Sequence, residues 1–545
     1  MAETHLDRHR RELAGCLVNL GSYLAGLGRS AEALSIEEEA VRIYRELSAA
    51  HPGRYRGELA VCLVNLGVRY SGLGRPAEAL PAVREAVRIQ RELAEADPDR
   101  HNGELAACLT NLGITLSALG RPAEALAPAE EAVRIQGELA EIYPDRYNGE
   151  LAASLSNLGL AFSELGRSLD AISSEQEAVR IYRVLARTYP DRYRPGLAAS
   201  LSNLSGHFLG AGRPAEALPP AEEAVRIRRE LASTYPDRYR TDLGASLTNL
   251  GAMLTKAGRP AEALSPAQEA VRIYRELVKV SPAPHRPNLA TSLSNLGSIF
   301  AEMGRLAKAL SAEREAVRIY RLLADSYPDR YRPDLATSLA NLGSYLAELG
   351  RPSAALPPTE EAMRIRRELA EADPGRYRSD LATSLANLGS YLAELGRPSA
   401  ALPPTEEAVR IRRELAEADA DHYRSRLAAS LSDLGIRLGE CGRPEQAWPP
   451  IQEALRIRRE LAEADPGRYR RELAGALAIS GSSHLALDRA EEATQDLKAA
   501  LAIALDTGPP EMVEQIKTML RMCGHQVIAV APASSKNPTR RKPPR

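Results

Sequence analysis

Aromatic side chains are scarce in this sequence: 20 Tyr, 3 Phe and one Trp among 545 residues. So few rings cannot nucleate the three or four independent globular cores that the length alone suggests. Lysine is scarcer still, seven against 64 Arg, a bias that points to a high-GC bacterial genome and not to a mechanism. Five Cys exclude a disulfide framework. No apolar run approaches the ~20 residues of a membrane span, and the charged opening Met1–His9 has no apolar stretch of a secretory signal. The expected location is cytoplasmic, with no membrane partner. Neither charge sign dominates: the net charge is −1, acids and bases are interleaved, and no basic block precedes the last ten residues. That balance argues against a nucleic-acid partner. Gly is nowhere followed by Lys, so a phosphate-binding loop is absent from the sequence. His5 and His9 stand four apart without a third ligand, so no metal and no cofactor is expected.

What the sequence has is repetition. A leucine recurs at Leu13, Leu59, Leu105, Leu151, Leu197, Leu243, Leu289, Leu335, Leu381, Leu427 and Leu473, every interval being 46 residues. The copies beginning at Leu335 and Leu381 differ at five of 46 positions, as at Met363 and Val409. Within one unit, Leu335, Leu339, Leu342, Leu346 and Leu349 are spaced 4, 3, 4 and 3, which puts them on one stripe of an α-helix. Gly350-Arg351 ends that helix, and Pro352 suits the first turn of the next. The second helix carries Ala355, Leu356, Ala362, Met363, Ile365 and Leu369 toward its neighbours, with Glu360, Arg364 and Glu368 paired at i,i+4 outside. Pro357-Pro358 predict a loosened first turn, and Pro-Asp-Arg-Tyr-Arg reads as a polar junction. Neither helix buries its stripe alone, so the hairpins must stack.

The grammar of NLGSYLAELGRPSAAL, with L-x-x-L-G-x-x-L, then G-R, A-L and E-A-V, resembles the tetratricopeptide repeat. The long unit and the Pro-bearing A-L-P-x-x-E-E-A-V-R-I resemble the kinesin light chain subclass and its bacterial relatives. The resemblance implies an all-α fold: a right-handed superhelical α-solenoid of eleven helix-turn-helix repeats with a C-terminal capping helix. The expected organisation is a partial repeat over 1–12, the solenoid over 13–508, a capping helix over 509–523 and a disordered Pro-rich basic tail over 524–545. On the capping helix, Met512, Val513, Ile516, Met519 and Leu520 share one face. The segment Met1-Ala2-Glu3 aligns with Leu93-Ala94-Glu95, the end of a second helix, so the N-terminal end lacks a polar cap: either the true start lies upstream, or this end docks against something, self-association being one such expectation.

No catalytic constellation is visible, and the chain reads as a non-enzyme. Cys16, Cys62 and Cys108 share one repeat position with Ser154 through Ser430 and read as small residues on a packed flank. The turn arginines, from Arg29 to Arg489, stand beside acids such as Glu32 and read as locally paired. The best binding candidate is a ladder of one amide per unit: Asn19, Asn65, Asn111, Asn157, Asn203, Asn249, Asn295, Asn341 and Asn387. A rotation of 100° per residue sets each opposite the leucine stripe. In tetratricopeptide proteins this face lines the concave groove, so the resemblance implies amides that hold the backbone of an extended peptide. Glu302, Glu348, Glu394 and Glu440 share a position on that face, and Asp433 replaces one Asn, which would favour basic ligand segments. The function read from the sequence is a non-catalytic scaffold that binds a protein or peptide partner in the groove. The competing readings are a sensor arm of a signalling ATPase or caspase-like protease system, and a nucleic-acid-binding array.

Overall fold

The computed structural model describes residues 5–26, 29–51 and 53–523; the 1–3 segment of the N-terminal expectation and the whole 524–545 tail lie outside them. Among the described residues there are 23 α-helices and no strand. They group into two compact units, 1–303 and 304–545. The first holds α1 (His5–Gly26), α2 (Ser30–Ala50), α3 (Arg56–Gly72), α4 (Pro76–Ala96), α5 (Pro98–Ala118), α6 (Pro122–Ile142) and α7 (Pro144–Glu164). It continues through α8 (Ser168–Thr188), α9 (Pro190–Gly210), α10 (Pro214–Thr234), α11 (Pro236–Lys256), α12 (Pro260–Val280) and α13 (Pro282–Glu302). The second holds α14 (Leu306–Ser326), α15 (Pro328–Glu348), α16 (Pro352–Ala372), α17 (Pro374–Glu394) and α18 (Pro398–Ala418). It ends with α19 (Ala420–Glu440), α20 (Pro444–Ala464), α21 (Pro466–Ala486), α22 (Ala490–Thr507) and α23 (Pro510–Met522). Within each unit every helix packs on the next in sequence.

The 46-residue period is two helices of 21 residues, joined by a three-residue turn and a one-residue junction. Leu349-Gly350-Arg351 makes the turn, with Gly350 at φ +69°, left-handed backbone that only Gly adopts without strain. The junction is far shorter than the sequence suggested. Pro374 is already helical, and Asp373 alone links the helices, its carboxylate accepting from the Arg376 N–H at 3.2 Å. The Pro-Asp-Arg-Tyr-Arg segment is therefore the first turn of a helix, and its tyrosine, for example Tyr331, is buried. An apolar anchor hidden among charges at non-periodic spacing is what makes it read as a polar junction. Pro357 and Pro358 do not break α16, which is helical from Pro352 to Ala372.

The leucine stripe is unequally buried. Leu335, Leu339 and Leu346 are core, Leu339 fully, whereas Leu342 and Leu349 are only half-buried at the edge facing the second helix. Several of the Leu-Gly glycines have no room for a side chain. A Cβ built on Gly343 would stand 2.3 Å from Thr359 Oγ1, and one on Gly435 would stand 2.3 Å from Ile451 Cγ1. The Thr359 hydroxyl is held in that place by donating to the Ala355 carbonyl at 2.8 Å. At the C-terminal end α23 packs on the last hairpin through Ile516 and Leu520, with Met512, Val513 and Met519 beside them, as the capping stripe predicted. At the other end α1 leaves Leu13 51% and Leu20 45% exposed, where Leu59 and Leu66 in the same positions are 4% and 7% exposed.

Gly343→Ala is expected to destabilise the second unit by about 1–3 kcal/mol, the usual cost of overpacking. Thr359→Ala in the same chain removes the clashing hydroxyl, so the double variant should recover most of that loss. Thermal melts of the four proteins in the cycle check this; additive losses would show that the two residues are not in contact.

Candidate functional site

First helices of adjacent repeats touch directly: α3 with α5, α5 with α7, α7 with α9 and α11 with α13 in the first unit, α15 with α17 and α19 with α21 in the second. No pair of second helices approaches as closely among the described residues. The first-helix surface is thus the tight side of each stack, and hydroxyls stitch it together. Ser154 Oγ lies 2.8 Å from Thr110 Oγ1, Ser200 Oγ 2.7 Å from Ser156 Oγ, and Ser292 Oγ 2.8 Å from Thr248 Oγ1.

The amides sit in this surface. In the first unit Asn19 and Asn249 are exposed, and Asn65, Asn111, Asn157, Asn203 and Asn295 are half-buried in the seams between neighbours; in the second, Asn341 and Asn387 are half-buried. Asn111 Nδ2 donates to the Ala107 carbonyl at 2.9 Å, and among the described residues no other amide of the ladder is so engaged. Between α5 and α7 the seam opens into a notch of about 140 Å³, floored by Ala125 and Ala129 of α6 and edged by Asn157, Ile114 and Leu160. Apolar knobs flank the amides there, Ile114 and Leu160 being 43% and 40% exposed, and Val68 holds the same repeat position on α3 at 43%. The sequence reading passed over them because a lone aliphatic on a polar face has no periodic signature.

In the second unit the corresponding positions are Ser344, Ser390, Ile436 and Ser482, and the exposed acids Glu348, Glu394 and Glu440 complete the face; Glu302 is exposed at the end of α13 in the first unit. Glu440 takes two bonds from Arg437 Nη1, at 2.9 and 2.8 Å. Burial pushes the Asp433 carboxyl above the usual carboxylate range, opposed by Arg437 and Arg412.

Beneath the face lie buried polar groups that the sequence reading missed. Glu37, Glu175 and Glu313 occupy a position that is Val83, Ala129 and Ala221 in other repeats, and all three are buried. Glu37 accepts from Arg69 Nε at 2.9 Å, while burial pushes its carboxyl up. Glu175 accepts from Ser156 at 2.7 Å and faces His207 Nε2 at 3.6 Å. Arg69 and His207 share a repeat position, 32 residues beyond their acids, and only lining up the repeats would have exposed the pairing.

The Cys/Ser position is also more than a small flank. Where the preceding second helix carries a buried Arg, the serine receives it: Arg366 Nη1 donates to Ser384 Oγ at 2.6 Å and to the Asp380 carbonyl at 3.2 Å. Arg228 and Arg412 bond Ser246 and Ser430 likewise. Cys62 and Cys108 are buried, and burial pushes both thiols up to about 12. The turn arginines of the first unit are paired as expected, Arg29 with Glu32 at 2.5 Å through Arg259 with Glu262 at 2.6 Å. On the outer side, Arg91–Glu131, Arg183–Glu223 and Arg229–Glu269 at 2.5 to 2.7 Å tie second helices across repeats. In the second unit Arg321–Glu361 and Arg367–Glu407 do so at 2.6 Å. The expected Arg364–Glu368 rung is superseded, because Glu368 receives Arg332 from α15.

Two tetratricopeptide repeat profiles match this chain. One spans residues 17–92. The other spans 105–141, 197–237, 243–285, 289–324, 335–374, 381–423 and 427–466, more than half of the chain by itself. The chain belongs to the tetratricopeptide repeat family. Proteins of this family are built as interaction scaffolds, and no helix among the described residues of this one is long and apolar enough to cross a membrane. Similar solved structures include BtubC (BKLC) from P. vanneervenii, 22% identical over 46% of this chain and 92% of that one, TM-score 0.38. A kinesin light chain from Podosopora anserina with nearly identical TPR-like repeats is 21% identical over 42% of this chain and 100% of that one, TM-score 0.33. YrrB, a TPR protein with an unusual peptide-binding site, is 20% identical over 45% of this chain and 97% of that one, TM-score 0.28. No curated protein matches the sequence.

The thiols give a direct check on this tetratricopeptide packing. A thiol at about 12 leaves roughly one thiolate in ten thousand at pH 8, so the buried Cys62 and Cys108 should alkylate far more slowly than exposed Cys16. Raising the pH to 10 should speed them about a hundredfold while the fold persists. Mass-resolved alkylation kinetics measure this, and Cys62 or Cys108 reacting as fast as Cys16 contradicts the packed flank.

Proposed function

We propose that this tetratricopeptide protein is a non-catalytic scaffold that holds an extended peptide segment of a protein partner along the first-helix face. The observation that carries the reading is the ladder itself. Half-buried amides at Asn65, Asn157, Asn203 and Asn295 in the first unit and Asn341 and Asn387 in the second stand in seams of the tight face and make no side-chain hydrogen bond among the described residues, while hydroxyls around them are already bonded to each other. An amide pairs with a peptide N–H and C=O without regard to side chain, so a row of them supplies backbone recognition. The notch between α5 and α7 adds room for one apolar side chain beside Asn157. The acids of the second unit favour a segment with basic residues there.

Replacing Asn65, Asn157 and Asn203 by Ala is expected to weaken peptide binding about 10- to 1000-fold, three net hydrogen bonds at about 0.5–1.5 kcal/mol each. Partners recovered by affinity purification supply the peptide, and calorimetric titration with parallel thermal melts measures the effect. Unchanged affinity with an unchanged melt moves recognition off the ladder.

The exposed face of α1 supports a second element of the proposal, self-association through that end. Leu13→Arg with Leu20→Arg should abolish concentration-dependent sedimentation, and a wild type that stays monomeric up to about 100 μM removes this element.

A further inference from the structure

Between α19, α21 and α23 lies an open groove of about 550 Å³ on the first-helix face of the second unit. Here the polar ladder gives way to apolar residues. Ile479 stands at the position that is Asn341 and Asn387 in earlier repeats, and Ile436 at the position of Ser344 and Ser390. Met512 and Met519 of α23 form the opposite wall, and Ile451 of α20 lies at the floor. Glu440 lines one side and is the last of the row Glu348, Glu394 and Glu440. Glu440 is shared with Arg437, whereas Glu348 and Glu394 make no ion pair among the described residues.

The chain leaves α23 at Met522, next to this groove, and its remaining sequence matches what the groove offers. Residues 524–531, Gly-His-Gln-Val-Ile-Ala-Val-Ala, contain no acid, Lys or Arg, and Val527 to Ala531 are apolar throughout. Residues 532–545 contain Lys536, Arg540, Arg541, Lys542 and Arg545 and no acid. The order along the chain, apolar then basic, is the order of surfaces met on moving from the groove toward Glu394 and Glu348.

We propose that the groove is occupied in cis by the chain's own C-terminal segment, with Val527–Val530 in the apolar groove and the cations beyond Lys536 over Glu394 and Glu348. Reach allows it. The few residues from Cys523 to Val527 span about 13 Å extended, enough to turn back beside a helix about 10 Å across. Lys536 to Arg545 extend about 20–50 Å past Val530, while Glu394 and Glu348 lie one and two helix spacings from Glu440, roughly 10 and 20 Å. The energetic roles separate. The buried aliphatic side chains supply the affinity, and the screened surface charges supply direction along the face more than strength. Tethering raises the local concentration of the segment to about millimolar, so modest intrinsic affinity keeps the groove filled against a free peptide of similar sequence. This occupancy does not depend on the asparagine ladder and stands or falls apart from it.

The test places the photo-reactive amino acid p-benzoylphenylalanine at Ile528 of the full-length chain. After irradiation, mass spectrometry maps the cross-links. The expected result is intramolecular linkage to α19, α21 and α23, with a yield that does not change over a hundredfold range of protein concentration. In Glu348→Lys/Glu394→Lys, whose substitutions sit on exposed positions and leave the apolar groove intact, the yield should fall several-fold, and 1 M salt should do the same in the wild type. Linkage scattered over the surface overturns the proposal, and so does linkage found only between two chains, which would make the occupant a second copy. A yield indifferent to both charge reversal and salt overturns the placement of the basic residues.

Discussion

The architecture depends on how closely two helices approach inside one hairpin. At the Leu-Gly step the first helix presents bare backbone to the second, and an added methyl would meet Val83 at 2.4 Å from Gly67 or Leu497 at 2.6 Å from Gly481. Ten of the eleven units keep Gly there; the exception is Ser205, whose hydroxyl reaches Met253 Sδ at 2.7 Å in the next repeat. That contact fixes the interhelix distance, and the distance fixes which residues fall in the seam. With two 21-residue helices, one turn glycine and a single junction residue, the unit admits no insertion, which is why 46 residues recur without a slip. A ladder of identical side chains is possible only on a scaffold of such strict register.

Charge plays two different parts. The outer rungs between second helices join exposed or half-exposed side chains and contribute at most a few tenths of a kcal/mol to about 1 kcal/mol each. Their repetition sets which helix stands beside which more than how firmly. The inner groups are different, because Glu37, Glu175 and the Arg366 guanidinium are largely out of water and must be matched. Burial lowers the Arg366 pKa, opposed by the Asp380 charge, and its Nη1 is satisfied by a serine and a carbonyl. Such groups specify the partner repeat: Glu37 requires Arg69, and a unit carrying Met or Ile in that place, as at Met253 and Ile299, follows an Ala. The copies are therefore not interchangeable despite their likeness.

Much of the fold was legible because its signals are local. The 4-3-4-3 leucines, the Gly350-Arg351 turn and the apolar face of α23 are each read within a few residues, and each stands where periodicity placed it. What was misread depends on contacts between repeats. Leu342 carries the same spacing signal as Leu339, yet it falls at the edge of the interface, since spacing names a face but not its width. The Pro-Asp-Arg-Tyr-Arg segment reads as a polar junction because the burial of Tyr331 is invisible to the local pattern. Of the candidate site, the face and its amides were legible by rotation alone. Their half-burial, the hydroxyl bridges between Thr110 and Ser154, and the apolar knobs at Ile114 and Leu160 were not, because each depends on a residue about 44 to 46 positions away.

Geometry also limits how a ladder of this kind can be used. First helices packed side by side are about 8–10 Å apart, and an extended peptide advances about 3.3 Å per residue. One repeat therefore corresponds to about three peptide residues, so successive amides would meet every third peptide unit and leave two between them unclamped. An extended chain alternates its side chains with a period of two, and three is odd, so consecutive clamps would address opposite faces of the peptide unless it twists toward the three-residue turn of polyproline II. A polyproline-like segment returns the same edge to the scaffold at each repeat, and its rise of about 3.1 Å per residue gives roughly 9 Å per turn, within the spacing of the helices. On the reading proposed above, the partner segment would match the ladder best in that conformation, with its apolar side chain at the α5–α7 notch recurring three residues from the next contact. Backbone conformation, more than side-chain identity, is then what a repeated amide selects.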